Sequence, residues 1–185
     1  MPFRLRTTVF AVAAINAIGG CHAYNPAGYD GDGQMTSYPK GAWRHDLELP
    51  RINLLEPGRH TFQLGHLPRE GLLALLSLDD PTSAKLDDLE RAGVRVSMTL
   101  TSQYTGEVSV KDGRLVGDWA TTVESWRAGA GAADARGPVD FEGIWFRPIR
   151  HELFTLTIDV AVATPITGSH ITATPRVKGG GLGNP

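Results

Sequence analysis

An all-β chain folded as an antiparallel β-sandwich, immunoglobulin-like or jelly-roll-like, is the architecture these 185 residues predict. Three observations carry that expectation. Short runs with strand patterning recur between residues 43 and 178, clusters of Gly, Pro and Asp separate them, and at most one short stretch has helical spacing. A regular alternation of strand and helix patterns is missing, which argues against a doubly wound α/β fold.

In chain order, the first patterned run lies outside that domain. Arg4 and Arg6 form a short basic segment, residues 7–20 (TTVFAVAAINAIGG) carry no charge, and Ile18, Gly19 and Gly20 lead directly into Cys21, the single cysteine. A basic start, an apolar middle and small residues before a cut are the layout of an export signal. The run is shorter than the roughly 20 residues a membrane-spanning helix needs. Residues 1–20 are therefore expected to be a removable signal peptide and Cys21 a lipidation site. A competing cut after Ala23 stays open and would leave a soluble product. Residues 21–42 are rich in Gly, Pro, Asp and Ser and are expected to be a flexible tether.

Strand candidates follow. Residues 45–49 (HDLEL) alternate and are stopped by Pro50, and residues 52–55 are apolar up to the Glu56-Pro57-Gly58 turn. Residues 59–65 put Phe62 and Leu64 on one face, and residues 72–78 (LLALLSL) suit a strand buried on both sides. Thr82 and Ser83 offer caps to one short helix with Leu86 and Leu89 on a shared face and Gly93 as its stop. Residues 94–100 alternate Val94, Val96, Met98 and Leu100 against Arg95, Ser97 and Thr99. Val108 and Val110, then Asp112-Gly113, then Leu115 and Val116 predict a hairpin turning at the Asp-Gly pair. Residues 129–138 lack large apolar side chains and are expected to be a mobile surface loop. Residues 141–146, 154–162 and 171–177 complete the strands, and the Gly-rich residues 179–185 form a disordered tail.

Composition narrows the functional classes. The net charge is −2, becoming −4 once Arg4 and Arg6 are removed, with no cluster of Lys and Arg, so nucleic acid is not an expected partner. A single cysteine excludes disulfides and thiolate metal centres, leaving burial and backbone hydrogen bonds to hold the fold. No Gly-x-Ser-x-Gly elbow, His-Glu-x-x-His helix or P-loop is present: His151-Glu152 is followed by Thr155 where a second histidine is needed, and Asp134 stands where Gly129-Ala130-Gly131 would need a third glycine. The chain is accordingly expected not to be an enzyme and to need no cofactor or metal. Asp30-Gly31-Asp32-Gly33 offers alternating carboxylates but no later bidentate Glu, so it is expected to be a turn rather than a calcium loop. The acidic group of Asp79, Asp80, Asp87, Asp88 and Glu90 suits a solvated helix start, with calcium as the alternative. His45, His60, His66, His151 and His170 are scattered over different elements. Among the aromatics, Trp119, Trp126 and Trp145 are the binding candidates, as a contact hot spot or a sugar platform; the competing reading is that they plug the core.

Ile18-Gly19-Gly20-Cys21 resembles the lipobox of bacterial lipoproteins. Together with the Leu55 to Phe62 run (LEPGRHTF), it is similar to small, largely uncharacterised proteobacterial β-sandwich lipoproteins, in which a Pro-Gly turn enters a Tyr/His-Thr-Phe strand. The resemblance implies acyl chains on Cys21, membrane attachment through them, and, with His22 rather than Asp after the cysteine, an outer-membrane position facing the periplasm. It transfers no catalytic residue. The functional expectation is a non-enzymatic envelope module that binds a protein, one version being an immunity or inhibitor protein; a carbohydrate-binding or calcium-dependent module is the alternative.

Overall fold

The computed structural model describes residues 28–37, 44–78, 80–121 and 138–179. The signal-like segment, Cys21, Trp43, Asp79, Trp126, the loop at 129–137 and the tail at 180–185 lie outside them.

Two antiparallel sheets pack face to face. The larger contains β1 (Gln34–Ser37), β2 (His45–Glu48), β3 (Ile52–Asn53), β5 (Leu72–Leu78), β8 (Ala120–Thr121), β9 (Val139–Phe146) and β11 (Thr172–Gly179), in the order β1-β2-β11-β5-β9-β8, with β3 also paired to β11. The smaller runs β4-β10-β6-β7, from β4 (Gly58–Gly65), β10 (Leu153–Ala161), β6 (Arg95–Ser102) and β7 (Val108–Arg114). The sandwich expected from the strand patterning is the fold observed.

Alternation builds the core. In β6, Val96, Met98 and Leu100 are buried; in β10, Phe154, Leu156, Ile158 and Val160 are. They face Leu47, Ala74, Leu76, Phe141, Ile144 and Val177 of the larger sheet in one apolar cluster. β5 is the central strand, buried at every position. Leu72, Ala74, Leu76 and Leu78 belong to the shared core, while Leu73 and Leu75 are buried outside that cluster. Its continuous apolar run is explained by having two covered faces. β11 carries Pro175 between two neighbours, where a missing N–H normally breaks a ladder. The break falls at the gap between β2 and β3, at Pro50: the Pro175 carbonyl still accepts from Leu49 N at 2.9 Å.

Helix α1 (Ser83–Arg91) is capped by Thr82, whose side chain accepts from Lys85 N at 3.2 Å, and ends at Gly93 in the left-handed region. A second helical turn, α2 (Leu115–Asp118), exceeds the single helix expected. It exists because the Asp112-Gly113 hairpin does not. β7 continues straight through that pair, with Asp112 opposite Ser97 and Gly113 opposite Val96. The reversal comes earlier, at residues 103–106, where Gly106 has φ +72° and Ser102 N donates to Glu107 O at 2.9 Å. An Asp-Gly pair specifies a turn only where no neighbouring strand claims its backbone, and β6 claims this one.

The segment expected to be a free tether is partly folded. Residues 34–37 form β1, with Met35 buried opposite Leu47. The preceding turn is fastened to the outer edge of β4: Asp32 N donates to Gln63 O at 2.8 Å, and Gln63 N donates to Asp32 Oδ2 at 2.7 Å. Asp30 Oδ1 lies 2.6 Å from His66 Nδ1. Gly31 and Gly65 permit this approach, since a Cβ at either would fall within 2.5 Å of a backbone oxygen across the contact.

Candidate functional site

The site candidate is shaped by a bulge in β9. Val139 and Phe141 point inward, as do Ile144 and Phe146, so the inward phase shifts by one residue between them. The β5 register records the shift: Leu75 pairs with Glu142 and Ala74 with Ile144, leaving Gly143 extra. A one-residue shift sends every later side chain to the opposite face. Trp145, on the odd phase that was inward before the bulge, is therefore turned outward and stays 49% exposed.

Beside Trp145 a cleft of about 140 Å³ opens where the two sheets end. Its apolar floor is Leu100, Phe146 and Phe154, the last two ring to edge at 5.3 Å between centroids. Its walls come from the β6–β7 turn (Ser102, Thr105, Glu107) and the β9–β10 connection (Arg147, Ile149, Glu152). Glu152 fastens these walls together. One carboxylate oxygen accepts from Ile149 N at 3.2 Å and the other from Ser102 Oγ at 2.5 Å. Ser102 Oγ in turn accepts from Thr105 N at 3.1 Å. Glu152 is 6% exposed, and its buried charge is met by donors from both loops. Outside the cleft, the Arg150 guanidinium lies 3.9 Å over the Tyr104 ring, a cation–π bridge between the same two loops. Tyr104, Trp145, Ile149 and Leu153 all remain exposed at this end of the sandwich.

Of the two described tryptophans singled out by sequence, Trp145 rims this cleft and Trp119 does not. Trp119 is 2% exposed and packed into the core, with no acceptor for its indole N–H among the described residues, so the core-plug reading holds for it. Trp126 lies outside the described residues. Sequence reasoning missed Tyr104, Arg147, Ile149 and Glu152; the available signal was Gly143, with its change of apolar phase from Val139 and Phe141 to Ile144 and Phe146.

Two of the acids on and before α1 pair with bases of that helix: Asp80 with Lys85 at 2.9 Å, and Asp88 with Arg91. Among the described residues, no group of three or more His, Cys, Asp and Glu side chains is placed to hold a metal.

The core-remote face of the larger sheet carries an ionic row. Arg176 Nη1 is 2.9 Å from both Asp46 Oδ2 and Glu48 Oε1. Lys178 Nζ is 2.7 Å from Asp140 Oδ2, and Ser77 Oγ donates to Asp140 Oδ1 at 2.7 Å. Burial holds the Asp46 carboxyl above its usual range, outweighing the opposing pull of Arg176 and Lys178. Protonated Asp46 therefore favours the fold, and its contribution is lost as pH rises through the raised pKa. We expect the urea midpoint of wild type to fall more steeply over that rise than that of Asp46→Asn. Parallel slopes would contradict the assignment.

A third group joins three elements. Ser37 Oγ lies 2.7 Å from His45 Nδ1, and His45 Nε2 lies 3.3 Å from Glu70 Oε1. Ser37 ends β1 opposite His45 of β2, which is opposite Gly179 of β11.

Compared with known proteins, the chain matches no protein-family model, no curated protein and no solved structure.

Proposed function

We propose that this protein is an exported, lipid-anchored binding module of the bacterial envelope, with a protein partner held at the cleft between the β6–β7 turn and the β9–β10 connection. The observation that carries the reading is the clustering of exposed Trp145, Tyr104, Ile149 and Leu153 with Arg147 and Arg150 around one opening. Trp, Tyr and Arg dominate binding hot spots because each combines a large contact area with a directional polar end. The Glu152 staple supports the reading by fixing both loops before a partner arrives, which lowers the ordering cost of association. The envelope location rests on Arg4, Arg6, the uncharged residues 7–20 and the small residues before Cys21. An immunity or inhibitor role is the version that suits a small anchored chain without catalytic motifs.

A second reading is favoured by one feature: Trp145 stands beside Thr105, Glu107 and Arg147, the combination of ring face and hydrogen-bonding groups that a sugar uses. Capture from envelope extracts with wild type and Trp145→Ala distinguishes the outcomes. A protein partner is retained by wild type and weakened about 30-fold or more by the substitution, the effect of losing a hot-spot residue. Quenching of tryptophan fluorescence by cell-wall glycans, lost in Trp145→Ala, supports the sugar reading instead. Equal capture by both proteins and no glycan response would remove the cleft as a binding site. Mass spectrometry of the mature N-terminus tests the anchor: a diacylated or triacylated Cys21 is expected, and an unprocessed Met1 would refute it.

A further inference from the structure

We infer that Ser37, His45 and Glu70 form a nucleophile–base–acid relay that gives this protein a carboxylic-ester-cleaving activity, independent of the cleft described above. The relay is recognised by geometry and roles, not by a sequence motif. Ser37 Oγ is within hydrogen-bond reach of an imidazole, at 2.7 Å from His45 Nδ1. The opposite ring nitrogen faces a carboxylate, Glu70 Oε1, at 3.3 Å. That oxygen is buried and accepts no hydrogen bond among the described residues. The His45 ring faces it at 3.3 Å, and catalytic contacts of this kind commonly tighten only when charge develops. In the tautomer that donates from Nε2 toward Glu70, the Nδ1 lone pair faces Ser37 Oγ. The ring nitrogens exchange the roles they have in the familiar serine-hydrolase arrangement, and the proton chemistry is unchanged.

Gly179 is the piece that permits the relay. It lies next to His45 in the sheet, and a Cβ there would stand 2.9 Å from Glu70 Oε1 and 2.2 Å from Leu72 Cδ2. Without a side chain at 179, Glu70 crosses the end of β11 to reach the imidazole. The His45 and Glu70 side chains are 18% and 27% exposed, and Ser37 is half-buried.

The step balances as follows. Ser37 Oγ forms a bond to the ester carbonyl carbon while its proton passes to His45 Nδ1, and Glu70 steadies the resulting imidazolium. Collapse of the tetrahedral adduct breaks the carbon–oxygen bond to the alcohol, which leaves with the proton from His45. Water then attacks the acyl-serine, giving its proton to His45; the acid is released and Ser37 recovers its hydrogen from the imidazolium. Esters are the acyl class such a relay attacks most readily, because an alkoxide departs more easily than an amide anion.

The test uses the full chain with a fluorophosphonate probe and with 4-nitrophenyl acetate and butyrate. Expected are a probe adduct mapped to Ser37, loss of adduct and turnover in Ser37→Ala, and turnover reduced about 100-fold in His45→Gln, the scale of a removed general base. Glu70 acts as a positioning residue, so Glu70→Gln should lower kcat with KM unchanged. Melting temperatures of all variants are recorded alongside, and adduct mapping on the wild type needs no substitution at all. An unlabelled Ser37 in the folded wild type, or turnover that survives Ser37→Ala, overturns the relay without bearing on partner binding at Trp145.

Discussion

Gly143→Val should destabilise the fold by about 3 kcal/mol, the upper range for forcing atoms into a packed core. For a chain of this size that corresponds to a fall of roughly 6–12 °C in Tm by circular dichroism. The cause is local. A Cβ at 143 would stand 2.6 Å from the Ala74 carbonyl oxygen and 2.8 Å from Met98 Sδ, so a backbone group of the central strand would have to move. β5 cannot yield without disturbing its pairing to β11 as well as β9. Gly71→Val is the control: a Cβ there meets nothing within 4 Å, and its Tm should stay within about 3 °C of wild type. If both variants melt alike, the bulge does not depend on glycine. The functional effect should exceed the thermal one, because the bulge decides which face Trp145 occupies.

Glu152→Ala is the second large effect, with an expected cost of about 3 kcal/mol. The substitution strands the buried Ser102 hydroxyl and also releases the amide of Ile149, an exposed residue that water can reach. A donor left unsatisfied in a buried site costs about 1–3 kcal/mol, and bonds to a charged acceptor lie at the upper end. Glu152→Gln keeps one acceptor oxygen and should fall between wild type and Ala in urea unfolding. The two loops should also separate, so capture of a partner through Trp145 should weaken in Glu152→Ala at temperatures where the protein is still folded. A wild-type urea midpoint in Glu152→Ala would show that the staple adds nothing.

The sandwich was legible because its clearest strands carry their burial in their spelling. β6 and β10 alternate residue by residue, and β5 is apolar at every position but Ser77 because both its sides are covered. α1 was legible from Thr82, Leu86, Leu89 and Gly93, which specify its start, face and stop locally. What failed was decided by neighbours. Asp112-Gly113 has the chemistry of a turn, but pairing with Ser97 and Val96 keeps it extended. The Asp-Gly turn at 30–33 looked like solvent-facing linker until Gln63 and His66 supplied its partners from 31 and 36 residues away. The cleft was harder still, since its staple joins Ser102 to Glu152 across 50 residues and no local pattern encodes that meeting. Trp145 is turned outward by a single inserted residue, while Trp119, in the turn before β8, is packed into the core. The phase change around Gly143 was visible in the letters, and its meaning required knowing that β9 pairs along β5.

Sheet edges invite company: an outermost strand offers donors and acceptors to any similar strand that drifts alongside. Here one of the two outermost strands of the smaller sheet, β4, meets that hazard with a stopper cut from its own chain. The amide and carboxylate of Asp32 take both the carbonyl and the N–H of Gln63, copying in miniature the ladder rung a foreign strand would add. A neighbouring copy arriving at that edge finds the rung at Gln63 already filled and two glycine-lined bends in the way. The turn thus protects the molecule against zipping onto its own kind, a safeguard that matters most wherever many copies are held close together.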